Sequence, residues 1–131
     1  MSELGRKMTI LAGMAVFLAV PAGQAWAAGD AASGSRIFQS QCAMCHATTP
    51  GTVGIGPSLA GVYGQPAASS AGYDFSPALK SAHLVWNAAT LDKFLASPQG
   101  AVSGTKMPYA GLPNAGQRAD VIAYLATLKA K

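Results

Sequence analysis

Apolar positions along the 131-residue chain recur at helical spacing from about residue 30 onward, and nowhere is there a convincing strand alternation. Asp30 is suited to cap a first helix on which Ile37, Phe38 and Cys42 fall on one face. Ser76 followed by Pro77 predicts the start of a short helix over Ala78-Leu79-Lys80, because proline is already set for the first helical turn and needs no N–H there. Leu91, Phe94 and Leu95 form an apolar stripe that Pro98 brings to an end. Asn114, with Gln117 three residues on, predicts a capping-box start for a last helix whose apolar face is Val121, Ile122, Leu125 and Leu128. The expected fold class is all-α, with helices joined by glycine-rich loops.

The first 27 residues follow a different pattern. A polar stretch with Arg6 and Lys7 precedes an apolar run from Ile10 to Val20, Pro21 breaks the run, and Ala25-Trp26-Ala27 gives the small-x-small pattern that a signal peptidase reads. As a helix that run rises only about 16 Å, against a hydrocarbon core of about 30 Å. Residues 1–27 are therefore expected to be a cleaved signal peptide and residues 28–131 a single exported, periplasmic domain. The rival reading is an uncleaved membrane anchor.

Removal of that segment changes the charge. Seven basic residues (Arg36, Lys80, Lys93, Lys106, Arg118, Lys129, Lys131) then face four acidic ones (Asp30, Asp74, Asp92, Asp120), a balance of +3 with no basic run or stripe. That excludes the usual footprint of a nucleic-acid binder. A domain of about a hundred residues has a modest core, which a buried apolar cofactor would enlarge.

The chemistry is concentrated in residues 42–46, Cys-Ala-Met-Cys-His, which contain both cysteines of the chain. This is the C-x-x-C-H signature of c-type haem attachment. Two thiols three positions apart on a helical turn reach the two vinyl groups of one porphyrin, and the next residue, His46, is carried beneath the iron. Three other readings compete. A thioredoxin-like motif wants a βαβ context that the pattern lacks. A zinc site from Cys42, Cys45, His46 and His83 would need adjacent side chains to converge on one tetrahedral ion. A disulfide would close so small a loop that it would stabilise little.

Beyond the first 27 residues the chain has two methionines, Met44 and Met107. Met44 lies inside the attachment segment, on the side of His46. Met107 lies 61 residues after His46, in Gly104-Thr105-Lys106-Met107-Pro108-Tyr109, a loop-like segment between helical patterns. Most methionines fill gaps in a core. A thioether held by a shaped loop is also a soft axial ligand that raises a haem potential.

These residues, together with Gly34 and Phe38, Gly56-Pro57-x-Leu59-x-Gly61, Trp86, Gly104-Thr105-Lys106-Met107 and Asp120-Val121-Ile122-Ala123-Tyr124-Leu125, resemble the class I cytochrome c family over about residues 29–129. The resemblance implies crossing N- and C-terminal helices and one covalent haem c in a crevice, its iron held by His46 and Met107. It also implies that the Pro57 carbonyl orients His46, that the Trp86 indole and Thr105 serve the propionates, and that Gly34 and Phe38 pack closely against Tyr124. Four departures are plain: the stretch between His46 and Gly56-Pro57 is one residue shorter than in many relatives, Gln65 stands where relatives often have arginine, and Phe75 and Phe94 stand where they often have tyrosine, one bonded to a propionate and one to the axial sulfur.

An iron with both axial positions filled has no place for substrate. The expected function is a monomeric electron carrier rather than an enzyme, shuttling between redox protein partners, such as a membrane oxidase, reductase or dehydrogenase, by transient docking. Lys80, Lys93 and Lys106 are candidates for steering acidic partners, though few enough that docking is expected to depend little on charge. The alternatives are a haem-based sensor or weak peroxidase, if Met107 is absent or easily displaced, and a dedicated subunit of one dehydrogenase complex. His83 is expected on the surface with no role.

Overall fold

The computed structural model describes residues 28–131; the expected signal peptide, residues 1–27, lies outside the described residues. Five helices follow in order: α1 Ala31–Gln41, α2 Pro77–Ser81, α3 Ala88–Ala96, α4 Pro98–Ala101 and α5 Ala115–Thr127. Among the described residues the only β-type pairing is a single bridge between Pro66 and Val85, and no helix is long and apolar enough to cross a membrane.

Each helix starts where a short polar side chain satisfies an orphan N–H. Asp30 accepts from the Ser33 N–H, Ser76 from Leu79, Asn87 from Thr90, Ser97 from Gly100 and Asn114 from Gln117. Two details differ from the sequence expectation. The box expected at Asn114 is half formed, whereas the full reciprocal box sits at Asn87 and Thr90. Pro98 both ends α3 and opens α4, because Ser97 serves as the C-terminal residue of one helix and the cap of the next.

α1 and α5 cross, as expected, and the crossing depends on a missing side chain. A Cβ at Gly34 would lie 1.9 Å from the Asp120 carbonyl oxygen and 2.9 Å from the Tyr124 Cβ, so only glycine lets the two backbones approach this closely. One turn on, Phe38 is 1% exposed and tilts against the Tyr124 ring at a centroid distance of 5.3 Å. Gly34 and Phe38 are thus the buried pair of α1; Ile37 and Cys42, expected on the same face, are only half-buried. The Asp30 N–H donates to the Asp120 carboxylate at 2.7 Å and fastens the start of α1 to α5.

On its other flank α5 is tied to α3. Arg118 donates to Asp92 at 2.7 Å and to the Leu112 and Pro113 carbonyls at 2.9 Å each. Val121, Ile122 and Leu125 face the core with Leu91, Phe94 and Leu95 of α3, while Leu128 caps the helix end half-buried. These helices frame a hollow that the polypeptide does not fill.

Candidate functional site

The hollow is a cavity of about 580 Å³ lined mostly by apolar atoms. Cys42, Cys45, His46, Pro57, Trp86, Thr105 and Met107 all line it, so the sequence-nominated residues are gathered at one place from four separate stretches of chain.

The attachment segment grows directly out of α1. The Cys42 and Ala43 N–H groups still bond back to the Phe38 carbonyl, and the Cys45 and His46 N–H groups bond to the Cys42 carbonyl at 3.1 and 3.0 Å. This tight turn brings both sulfurs and the imidazole to one wall while Met44, between them, is 87% exposed. Cys42 and Cys45 are free, not disulfide-bonded. Burial, reinforced by Cys45, pushes the Cys42 thiol up to about 11, so it is protonated at neutral pH and unlike the activated thiolate of a redox-exchange motif. Among the described residues no three His, Cys, Asp or Glu side chains gather as a metal site, so His83 does not join Cys42, Cys45 and His46. His83 is instead exposed, with a positive φ of 51°.

His46 is held on two sides. Its Nδ1 lies 2.8 Å from the Pro57 carbonyl oxygen, which fixes that nitrogen as the N–H donor and leaves Nε2 as the lone-pair donor. Gly56 lies flat against the ring: a Cβ there would come within 2.6 Å of Cε1 and 2.8 Å of Nδ1. The Gly56 N–H in turn bonds the Cys45 carbonyl at 2.8 Å, and the Leu59 N–H bonds Ala47 at 2.9 Å, so the 54–59 loop is sewn to the attachment turn. Burial pushes the His46 imidazole below its ordinary 6.5, with the Pro57 carbonyl pulling the other way; the ring is neutral at neutral pH, the state a metal requires.

Met107 lies on the segment between α4 and α5 and lines the same cavity. Gly104, with φ +91°, turns the chain, and the buried Thr105 follows. Among the described residues no hydrogen bond reaches the Met107 sulfur, and the nearby aromatic wall supplies none: Phe94 packs on Trp86 at 4.9 Å and Phe75 on Tyr73 at 4.9 Å. Phe75, Trp86 and Phe94 are all buried, and all three line the cavity. Gln65 also lines it but is exposed, and its main chain pairs with Trp86.

Of the three lysines nominated for steering, Lys106 lines the cavity and bonds the Asp74 carboxylate at 2.9 Å. Lys80 reaches the same carboxylate at 3.3 Å, and Lys93 lies away from the cavity lining. Two contacts at the cavity and its methionine segment are not foreseen from the sequence. Tyr109 donates across the cavity mouth to the Gln41 side chain, joining the end of α1 to the methionine segment. Gln99 of α4 bonds that segment from behind.

The donor set and the cavity fit a porphyrin: two thiols and a neutral imidazole from the attachment turn, a thioether from a separate segment, and a mostly apolar lining. The comparisons agree. The family model described as Cytochrome c matches residues 31–129. The cytochrome c2 of Rhodomicrobium vannielii is 47% identical over 104 residues, covering 79% of this chain and 82% of that protein. The cytochrome c of Euglena viridis is 44% identical over 101 residues, covering 77% and 99% respectively. The solved structure of cytochrome cH from Methylobacterium extorquens superposes with a TM-score of 0.71 at 43% identity, covering 76% of this chain and 99% of that one. The chain therefore belongs to the class I cytochrome c family, the electron carriers with covalently bound haem c.

Proposed function

We propose that this protein is a periplasmic one-electron carrier whose haem iron is held by His46 and Met107, with Cys42 and Cys45 as the thioether anchors. The observation that carries the reading is the convergence of these four side chains on one cavity of about 580 Å³, with His46 oriented by Pro57. When bound, haem c supplies a one-electron iron couple and a conjugated edge through which an electron enters and leaves. The polypeptide supplies the rest. Cys42 and Cys45 retain the cofactor in a domain too small to enclose it fully. Pro57 keeps His46 in one tautomer and makes it a better donor. Phe75, Leu79, Leu91, Phe94 and Leu95 exclude water. Trp86 and Thr105 bring an indole N–H and a hydroxyl to the wall, suited to carboxylates of the cofactor.

Residues 1–27 are read as the export signal and residues 28–131 as the mature monomer, exchanging electrons with donor and acceptor redox proteins, membrane-bound complexes among them. With Lys80 and Lys106 both engaged by Asp74, docking relies less on charge than a ring of free lysines would.

A second reading, ligand binding or weak peroxidase chemistry at the iron, is favoured by one observation: no side chain bonds the Met107 sulfur, and Phe94 offers no hydroxyl for it. An absorption spectrum of protein matured in a c-type-cytochrome-competent periplasm separates the two. Covalent haem with the weak far-red band of a ferric iron–methionine bond supports the carrier. Covalent haem without that band moves the function toward ligand binding, and no haem at all rejects both.

A further inference from the structure

The segment that carries Met107 has little main-chain support of its own. The Thr105 N–H bonds the Val102 carbonyl at 3.1 Å, and the next main-chain bond along the chain is Leu112 N–H to the Leu95 carbonyl at 2.8 Å. Residues 106–111 make no main-chain to main-chain hydrogen bond. The Gln99 side chain bonds this segment's main chain at three points. The Gln99 Oε1 accepts from the Gly104 N–H at 3.2 Å, and its Nε2 donates to the Thr105 carbonyl at 2.7 Å and, more weakly, toward the Met107 carbonyl at 3.4 Å.

A primary amide is the one neutral side chain that accepts at one atom and donates twice at another, so it can clasp a loop whose N–H and carbonyl groups alternate. Gln99 is itself anchored. It follows Pro98, one of the most deeply buried residues of the protein, in a helical turn capped by Ser97. Gln99 does not line the cavity, so whatever it does to the iron it does through the loop.

We propose that Gln99 is a positioning residue that holds the 104–107 segment closed and thereby keeps the Met107 sulfur seated. This rests on the reading of Met107 as the second axial ligand. The clasp supplies from outside the cavity the restraint that no hydrogen bond to the sulfur supplies from inside.

The test uses the ferric holoprotein and its Gln99→Leu and Gln99→Glu variants at neutral pH. Leucine keeps the approximate volume and removes both ends of the clasp. Glutamate keeps the acceptor for Gly104 but turns a carboxylate toward the Thr105 and Met107 carbonyls. Exogenous imidazole binds the iron only after the methionine leaves, so its binding rate reports how firmly the loop is held. Both variants are expected to bind imidazole about three- to tenfold faster than the wild type, the range expected for losing hydrogen bonds of this kind, and to show a weaker far-red band.

If both variants match the wild type in rate and band, or if the thermal midpoint falls while rate and band do not move, Gln99 has no positioning role. A wild type that itself lacks the far-red band overturns the Met107 reading and the clasp with it, an outcome distinct from either of those.

Discussion

The two walls of the haem cavity are built to different standards. On the histidine side, the ring of His46 is bonded by Pro57 and pressed by Gly56, and that loop is stitched through Gly56 and Leu59 to the turn carrying both cysteines. On the methionine side, residues 106–111 lack main-chain bonds, the sulfur has no hydrogen-bonding partner, and side chains from elsewhere do the holding. The first wall is fixed by backbone geometry and covalent attachment; the second is fixed by a few replaceable contacts. If His46 and Met107 ligate the iron as proposed, the first would be held fast and the second able to leave because of the local bonding of each segment, before any property of iron is considered.

The largest effect should come from disturbing the better-built wall. Gly56→Ala places a methyl carbon 2.6–2.8 Å from the His46 ring, where neither the ring nor the Pro57-anchored backbone has room to yield. Overpacking of this kind costs about 1–3 kcal/mol, and here it also tilts the imidazole during maturation. Holoprotein yield should fall severely, and the surviving fraction should unfold at lower denaturant concentration than wild type. A normal yield with unchanged stability would show that this wall is more plastic than its contacts imply.

Phe94→Tyr probes the looser wall with a smaller perturbation. If Met107 is the ligand, a hydroxyl at this position donates to its sulfur, draws electron density from it and weakens it as a donor to ferric iron. The reduction potential should rise by about 20–60 mV, the one-electron equivalent of one hydrogen bond, and imidazole should displace the methionine more slowly, because the hydroxyl also restrains the sulfur. Unchanged potential and unchanged ligand exchange together would remove phenylalanine from any account of the site.

How much of this was legible in the sequence follows the same division. The histidine wall is local: Cys42, Cys45 and His46 lie within one turn, and short-range chemistry names them. The helices were legible too, because caps such as Asp30 and Ser76 and stripes such as Leu91, Phe94 and Leu95 are periodic or punctuated signals. Helix α4 is harder to read, because its Ser97-Pro98 start repeats the Ser76-Pro77 signal at the very position where Pro98 also ends the preceding stripe. Gln99 and the Tyr109–Gln41 bond left no such trace. They join a side chain to a loop, or to a residue 68 positions away, and neither arrangement has a period or a preferred spacing.

The smallest effect concerns charge, and it asks whether the methionine wall is held electrostatically. Lys106, next to Met107, and Lys80 both reach Asp74, whose carboxyl is held below its ordinary 3.8 chiefly by the hydrogen bond from Lys106 and then by that from Lys80. A depressed carboxyl stabilises the fold above its unfolded value and loses that contribution as pH falls through the lowered one, so any effect is confined to acid below about pH 4. The Asp74 side chain is 83% exposed, and exposed pairs of this kind contribute little to stability. Asp74→Asn should therefore leave the neutral-pH thermal midpoint and the far-red band unchanged. What it should alter is the surface: two ammonium groups lose their counter-charge beside the cavity mouth, and electron transfer with an acidic partner protein should become faster at low salt and more sensitive to salt. If the variant instead loses its far-red band or unfolds earlier at neutral pH, the ion pairs hold the loop. The methionine wall would then be charge-clamped rather than hydrogen-bonded, and its contrast with the histidine wall would be one of bond type, not of bond number.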